Sequence, residues 1–210
     1  GKYPVIFESR VATSLLSSLV SATSGTNQYR KTSFLLDSLD KKIASESLTV
    51  HEDPYLKNGN ATTYFDGDGV FVKPRVVVEK GFLKGYFLSS YSARRLNMET
   101  TGNAGGAHNL IANPSNLNFD GLLKKMKRGL VVTELLGHGL NMVTGDYSRG
   151  VAGFWVEEGT IIHPVEEITI AGNMKDMLLN ISDVGNDTYT NGSEYMGSVL
   201  ITDMTIAAGA

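Results

Sequence analysis

The chain has 210 residues, 41% of them hydrophobic and 20% charged, with a formal net charge of −3 and no cysteine. That is long enough for one large or two small domains with a real core, in the composition of a globular protein. It excludes disulfides, thiolate catalysis and any zinc site needing a cysteine of this chain, it argues against a basic nucleic-acid face, and no apolar run nears the roughly 20 residues of a membrane span.

Residues 3–7 (YPVIF) predict a short strand. Val11, Ala12, Leu15, Leu16, Leu19 and Val20 then repeat at helical spacing, so residues 9–22 predict a helix with one apolar face. Ser9 is the expected N-cap, and Gly25 is expected to close the segment. A further helical turn is expected within 32–43. From about residue 47 the pattern turns to strands: SLTVHED, TTYF, VFVKPRVVVEK and FLKGYFLSSY, with turns at DPYLKNGN, DGDG and Gly81. SARRLNM reads as a helical turn. Residues 100–121, rich in Gly and Asn, read as one long loop, which in a compact domain is functional or disordered.

Residues 130–171 alternate apolar runs with glycine-bearing turns and predict consecutive strands. Met174, Met177, Leu178 and Ile181 mark a short helix in NMKDMLLNISDV, and a last strand pair is expected over 184–190 and 196–206. The connections are too short for helical crossovers. The expected fold is α+β, β-dominated, a mostly antiparallel sheet or barrel-like domain with a few short helices.

His51-Glu52-Asp53 offers metal ligands or an acid/base pair; against this, neighbours on a strand point to opposite faces, and Asp53-Pro54 starts a turn. His138, between Gly137 and Gly139, is either poised near a ligand or a plain loop histidine; His108 and His163 are lone histidines. No His-x-x-His or His-x-x-x-His pair is present, so a zinc site from His51, His138 and His163 has no local pattern behind it. Asp66-Gly67-Asp68-Gly69 starts like a calcium loop, but the twelfth position is Val77 rather than Glu, which favours a hairpin turn. TGNAGG (101–106) lacks the Lys and Ser/Thr of a phosphate loop, and Ser148 has no identifiable base beside it. Four Asn-x-Ser/Thr sequons, at Asn60, Asn180, Asn186 and Asn191, read as chance in a chain without a leader pattern.

The stretches KYPVIF, HEDPYL, FDGDGV, VEKGFLKGYFLSSYSARRLN, TTGNAGG, TGDYSRGVAGFWVE, EITIAGNMKDML and GSVLITDMTIA together resemble the C-terminal domain of the PmbA/TldE family, the partner subunits of TldD/TldE metalloproteases. The likeness runs over nearly all of 1–210. Members carry a further N-terminal α/β domain, and the chain starts at Gly1 rather than Met, so the expectation is a C-terminal domain whose N-terminal companion is absent. The resemblance further implies that the TldD-type subunit holds a metal through a His-Glu-x-x-x-His helix and a cysteine near its end. On that alignment Ser17 and Ser18 stand at the first His and the Glu, Ala22 at the second His, and Ser193 at the cysteine.

Hydroxyls and a methyl group do not replace imidazole and thiolate. The resemblance therefore implies a TldE/PmbA-like subunit with no cofactor of its own, zinc being expected in a TldD-like partner. Its role would be assembly and peptide binding, by strand addition, in a cytoplasmic peptide-processing protease. Arg149, His138 and Phe154 are the substrate-binding candidates, and the 11–20 helix face with Phe154 and Trp155 is expected at buried or interfacial surfaces. Two alternatives stand beside it: a metal-dependent peptidase in its own right using His51, Glu52 and His138, and a homodimeric peptide-binding scaffold without catalysis. The family is also described as modulating DNA gyrase, which reads as an indirect effect of proteolysis, since the acidic balance gives no nucleic-acid footprint. Neither nucleic acid nor membrane is an expected partner.

Overall fold

A computed structural model describes residues 1–208. Eleven strands and five helices follow in order: β1 (Lys2–Phe7), α1 (Ser9–Thr23), α2 (Gly25–Tyr29), β2 (Val50–Asp53), β3 (Arg75–Glu79), β4 (Phe82–Leu83), α3 (Ser90–Leu96), β5 (Asn109–Ala112), α4 (Phe119–Met126), β6 (Gly129–Leu136), β7 (Asp146–Glu157), β8 (Thr160–Asn173), α5 (Met174–Leu179), β9 (Ile181–Val184), β10 (Glu194–Tyr195) and β11 (Val199–Ala208). The expected α+β, strand-dominated fold is what forms.

The first sheet runs β1-β6-β7-β8-β11-β9, and an additional β1–β11 pairing closes β1, β6, β7, β8 and β11 into a barrel. Closure removes the free edges an open sheet would expose. All its pairings are antiparallel except β1 with β6. The second sheet runs β10-β5-β2-β3-β4, with only β10 and β5 parallel.

Alternation along the barrel strands feeds two cores. Val5, Phe7, Leu130, Val132, Tyr147 and Val151 join the larger one, which also takes in Leu15, Leu16 and Leu19 of α1. The intervening residues Ile6, Val131, Val156 and Leu200 pack with Leu122, Leu123 and Met126 of α4. No helix among the described residues is long and apolar enough to cross a membrane.

Several local expectations are corrected. The N-cap of α1 is Glu8, whose side chain accepts from the Arg10 amide, and Ser9 is already helical. Gly25 does not end the segment; it opens α2 behind the N-cap Ser24. A Cβ there would lie 2.3 Å from Ser92 Oγ and 2.5 Å from Ser92 Cβ, so the glycine lets α2 approach α3.

The stretch 32–43 forms turns, interrupted by left-handed Asp37 (φ 52°) and Asp40 (φ 58°), a geometry that a helix excludes. TTYF contributes only a Phe65–Phe71 bridge, and FLKGYFLSSY gives the two-residue β4, bridges from Phe82 to Lys42 and from Phe87 to Ser24, and the start of α3. The supposed loop 100–121 contains β5 and the start of α4. The late helix stops at Leu179, and the strand expected at 184–190 lies earlier, at 181–184.

Candidate functional site

Along α1, the hydroxyls of Thr13, Ser14 and Ser18 fold back onto carbonyls of the preceding turn, as side chains of this type do within helices. Ser17 also reaches outward. Its hydroxyl donates to the Glu194 carboxylate, with Oε2 at 2.7 Å and Oε1 at 2.9 Å. Glu194 opens β10, which the Leu110 amide of β5 holds through the Ser193 carbonyl at 2.8 Å. The fold thus brings Ser17 and Ser193, 176 positions apart, to one junction through Glu194. Burial pushes the Glu194 carboxyl above the usual carboxylate range, and the Ser17 hydrogen bond partly opposes the rise. Ala22 is fully buried, and its carbonyl accepts from Gln28 Nε2 and Ser33 Oγ.

β2 separates its polar side chains as the alternation requires. His51 and Asp53 line a surface pocket of about 530 Å³ with Pro74, Val76 and Ile111, to which Glu52 and Arg75 also contribute atoms. Glu52, 2% exposed, accepts at Oε2 from Arg75 Nε at 2.6 Å. Its Oε1 accepts from Asn103 Nδ2 at 2.7 Å and the His108 amide at 2.8 Å, with His108 Nδ1 at 2.9 Å. Burial raises the Glu52 pKa, but the His108 bonds and the Arg75 charge outweigh it and hold the carboxyl at about 2.

Arg75 also donates to the Tyr86 carbonyl and to Asn103 Oδ1, and its guanidinium lies 4.9 Å from the Phe87 ring centroid. This network fastens the TGNAGG loop to the second sheet and commits both oxygens of the buried Glu52 carboxylate to structural hydrogen bonds. Asp66 accepts from the amides of Asp68, Val70 and Ala104, which makes DGDG a turn tied to that same loop.

His138 is exposed in the β6–β7 loop, and His163 is exposed on β8 opposite Trp155. Arg149 and Phe154 occupy opposite faces of β7: Arg149 shares the face of Tyr147 and Val151 in the larger core, and Phe154 packs on the α4 cluster. Trp155 stacks edge-on against Tyr3, with Arg128 near both rings. Among the described residues no three His, Asp or Glu side chains are grouped to hold a metal ion, so His51, Glu52 and His138 form no such group. Sequence reasoning missed Glu194, Tyr147, Arg75 and Asn103. Glu194, Arg75 and Asn103 have partners far away in the chain, and the burial that isolates Tyr147 beside Arg149 comes from tertiary packing, so no local spacing announces them.

Residues 1–208 match the PmbA/TldA metallopeptidase C-terminal domain. The metalloprotease PmbA of Escherichia coli O157:H7 is 52% identical over 206 residues, which cover 98% of this chain and 46% of that protein. Two solved structures share the fold. A candidate modulator of DNA gyrase from Bacteroides thetaiotaomicron superposes with a TM-score of 0.94 at 32% identity, over 100% of this chain and 47% of its own. TldE from Thermococcus kodakarensis superposes with a TM-score of 0.87 at 25% identity, over 99% and 50%. The chain spans about half the length of the relatives it matches.

Proposed function

This chain belongs to the PmbA/TldA metallopeptidase family, and from that premise we propose that it serves as the TldE-type half of a two-subunit metalloprotease, contributing assembly and peptide binding rather than the metal. The observation that carries this reading is the α1–β10 junction. The family implies a zinc ion there, and the donors at Ser17, Ser18, Ala22 and Ser193 do not fit one. Ser17 is committed to Glu194, Ser18 to its own helix, and Ala22 is a buried methyl. Glu194 is a single carboxylate that burial disposes toward its neutral form, a poor ligand for a hard or borderline cation.

A TldD-like partner would then supply the zinc and the hydrolytic water, and this chain would shape the peptide's surroundings. Arg149 and His138, near each other along β7 and its preceding loop, are the side chains we assign to peptide contact; Phe154 on the opposite face is assigned to packing under α4. The cytoplasm is the proposed location.

The test mixes the purified chain with a TldD-like subunit and follows mass by light scattering and cleavage of an unstructured peptide. The reading expects a mixed complex and chelator-sensitive cleavage that neither protein shows alone. Chelator-sensitive cleavage by this chain alone would refute it.

A further inference from the structure

Tyr147 and Arg149 stand two residues apart on β7 and project from the same face of the strand. Tyr147 is 5% exposed, and its hydroxyl is sealed from solvent without a hydrogen-bond partner. The Arg149 Nε is likewise sealed and unpartnered. The guanidinium lies close enough to oppose, by its charge and by a side-chain hydrogen-bonding approach, the upward push of burial on the Tyr147 phenol, but that approach falls short of good hydrogen-bond geometry and leaves the hydroxyl and Nε unsatisfied. No carboxylate among the described residues pairs with Arg149. Buried donors left unpaired are costly, and a cation more so.

The approach to this pair is also built. The loop before β7 is drawn along the strand by the Ser148 amide, which donates to the Gly139 carbonyl at 2.8 Å, and by the Asn141 amide, which donates to the Asp146 carbonyl. A Cβ on Gly139 would lie 2.1 Å from the Ser148 carbonyl oxygen and 3.1 Å from Arg149 Cβ. Only glycine permits this contact, and it sets exposed His138 beside the pair. Left-handed Gly137 (φ 65°) and Gly145 (φ 83°) bracket the loop.

We propose that Tyr147 and Arg149 form a carboxylate-binding site that anchors a peptide through its C-terminal carboxylate or an acidic side chain, with the 137–145 loop yielding to admit it. The Tyr147 hydroxyl and the Arg149 guanidinium can donate side by side to an anion with two acceptor oxygens in one plane, as Arg does elsewhere. This rests on the peptide-binding half of the reading above and names its substrate class.

The experiment follows the Arg149 Nε–H resonance in the ¹⁵N-labelled 210-residue chain, assigned by its loss in Arg149→Lys. The probes are acetyl-tetra-alanine as the free acid, the same peptide as its C-terminal amide, acetyl-Ala-Ala-Glu-Ala amide, and inorganic phosphate. The free acid or the Glu peptide is expected to shift the resonance saturably, and which one does so identifies the source of the carboxylate. The tetra-alanine amide is expected to leave it in place, and Tyr147→Phe to weaken binding about tenfold, the size of one hydrogen bond to a charged group. Equal responses to acid and amide, no saturable response to either carboxylate, or a response to phosphate alone would overturn the site. The titration uses this chain without a partner, so its failure is distinguishable from failure to assemble with a TldD-like subunit.

Discussion

Ser17 on α1 donates a hydrogen bond of 2.7 Å to Glu194, a residue 177 positions later that opens β10. The bond joins the helix of the barrel side to the edge of the second sheet, at the junction where the family resemblance places the metal of the sister subunit. Removing the hydroxyl in Ser17→Ala is expected to cost about 1 kcal/mol, the worth of a partly exposed hydrogen bond to a carboxylate. It should also raise the Glu194 pKa further, because the bond is what opposes burial there. Urea denaturation and carboxyl NMR titration check the two halves.

Glu194 gives the opposite pH signature to most acids. Its folded pKa lies above the unfolded value, so the fold favours the protonated carboxyl. That contribution is present at pH below the unfolded pKa and is lost as pH rises through the folded pKa. Glu194→Gln keeps an acceptor for Ser17 without the charge. It is expected to match or exceed the wild-type melting temperature at pH 7 and to lose that advantage near pH 4; a variant less stable at pH 7 would contradict the assignment.

Glu52 behaves in the usual sense. Its pKa falls from the ordinary 4.5 to about 2, so its contribution is present above the unfolded pKa and is lost as pH falls from about 4.5 towards 2. Glu52→Gln leaves half-buried Arg75 without its counter-charge and is expected to cost about 3 kcal/mol at pH 7, with a flatter acid limb of the stability curve. Hydrogen exchange should rise in the loop 100–108, since a single neutral amide oxygen cannot serve both Arg75 and the Asn103 and His108 donors.

Gly25→Ala is expected to destabilise by about 1–3 kcal/mol through overpacking. The added methyl meets Ser92 Oγ at 2.3 Å and Leu88 Cδ2 at 2.8 Å, so α2 and α3 must separate. Thermal unfolding measures it. A neutral effect would mean that Ser92 can leave its capping contacts with Ser89 without cost.

The parts of this fold that show in the sequence are those with long periodic signals. α1 and the β6–β8 stretch bury one face over many residues, and their apolar repeats are read directly. β5 is four residues long and begins with Asn109, whose side chain bonds the Asp53 carbonyl; its partners decide it, not its composition. α4 did carry a signal, Asn118 as N-cap before Phe119, Leu122, Leu123 and Met126 at i, i+3, i+4 and i+7, but it is masked by the glycines and asparagines before it. The 32–43 stretch failed for the converse reason, because left-handed Asp37 and Asp40 override a weak helical spacing. At the candidate site, the hydroxyls and methyl at Ser17, Ser18, Ala22 and Ser193 could be read by resemblance, whereas Glu194 and the Tyr147–Arg149 pair needed the tertiary structure.

The most direct measurement is the zinc content of the chain purified alone, by elemental analysis at neutral pH. The account predicts negligible zinc per chain, with metal appearing only when a TldD-like subunit is added. Close to one zinc per chain would contradict it and would make His51 and His138 the first residues to substitute.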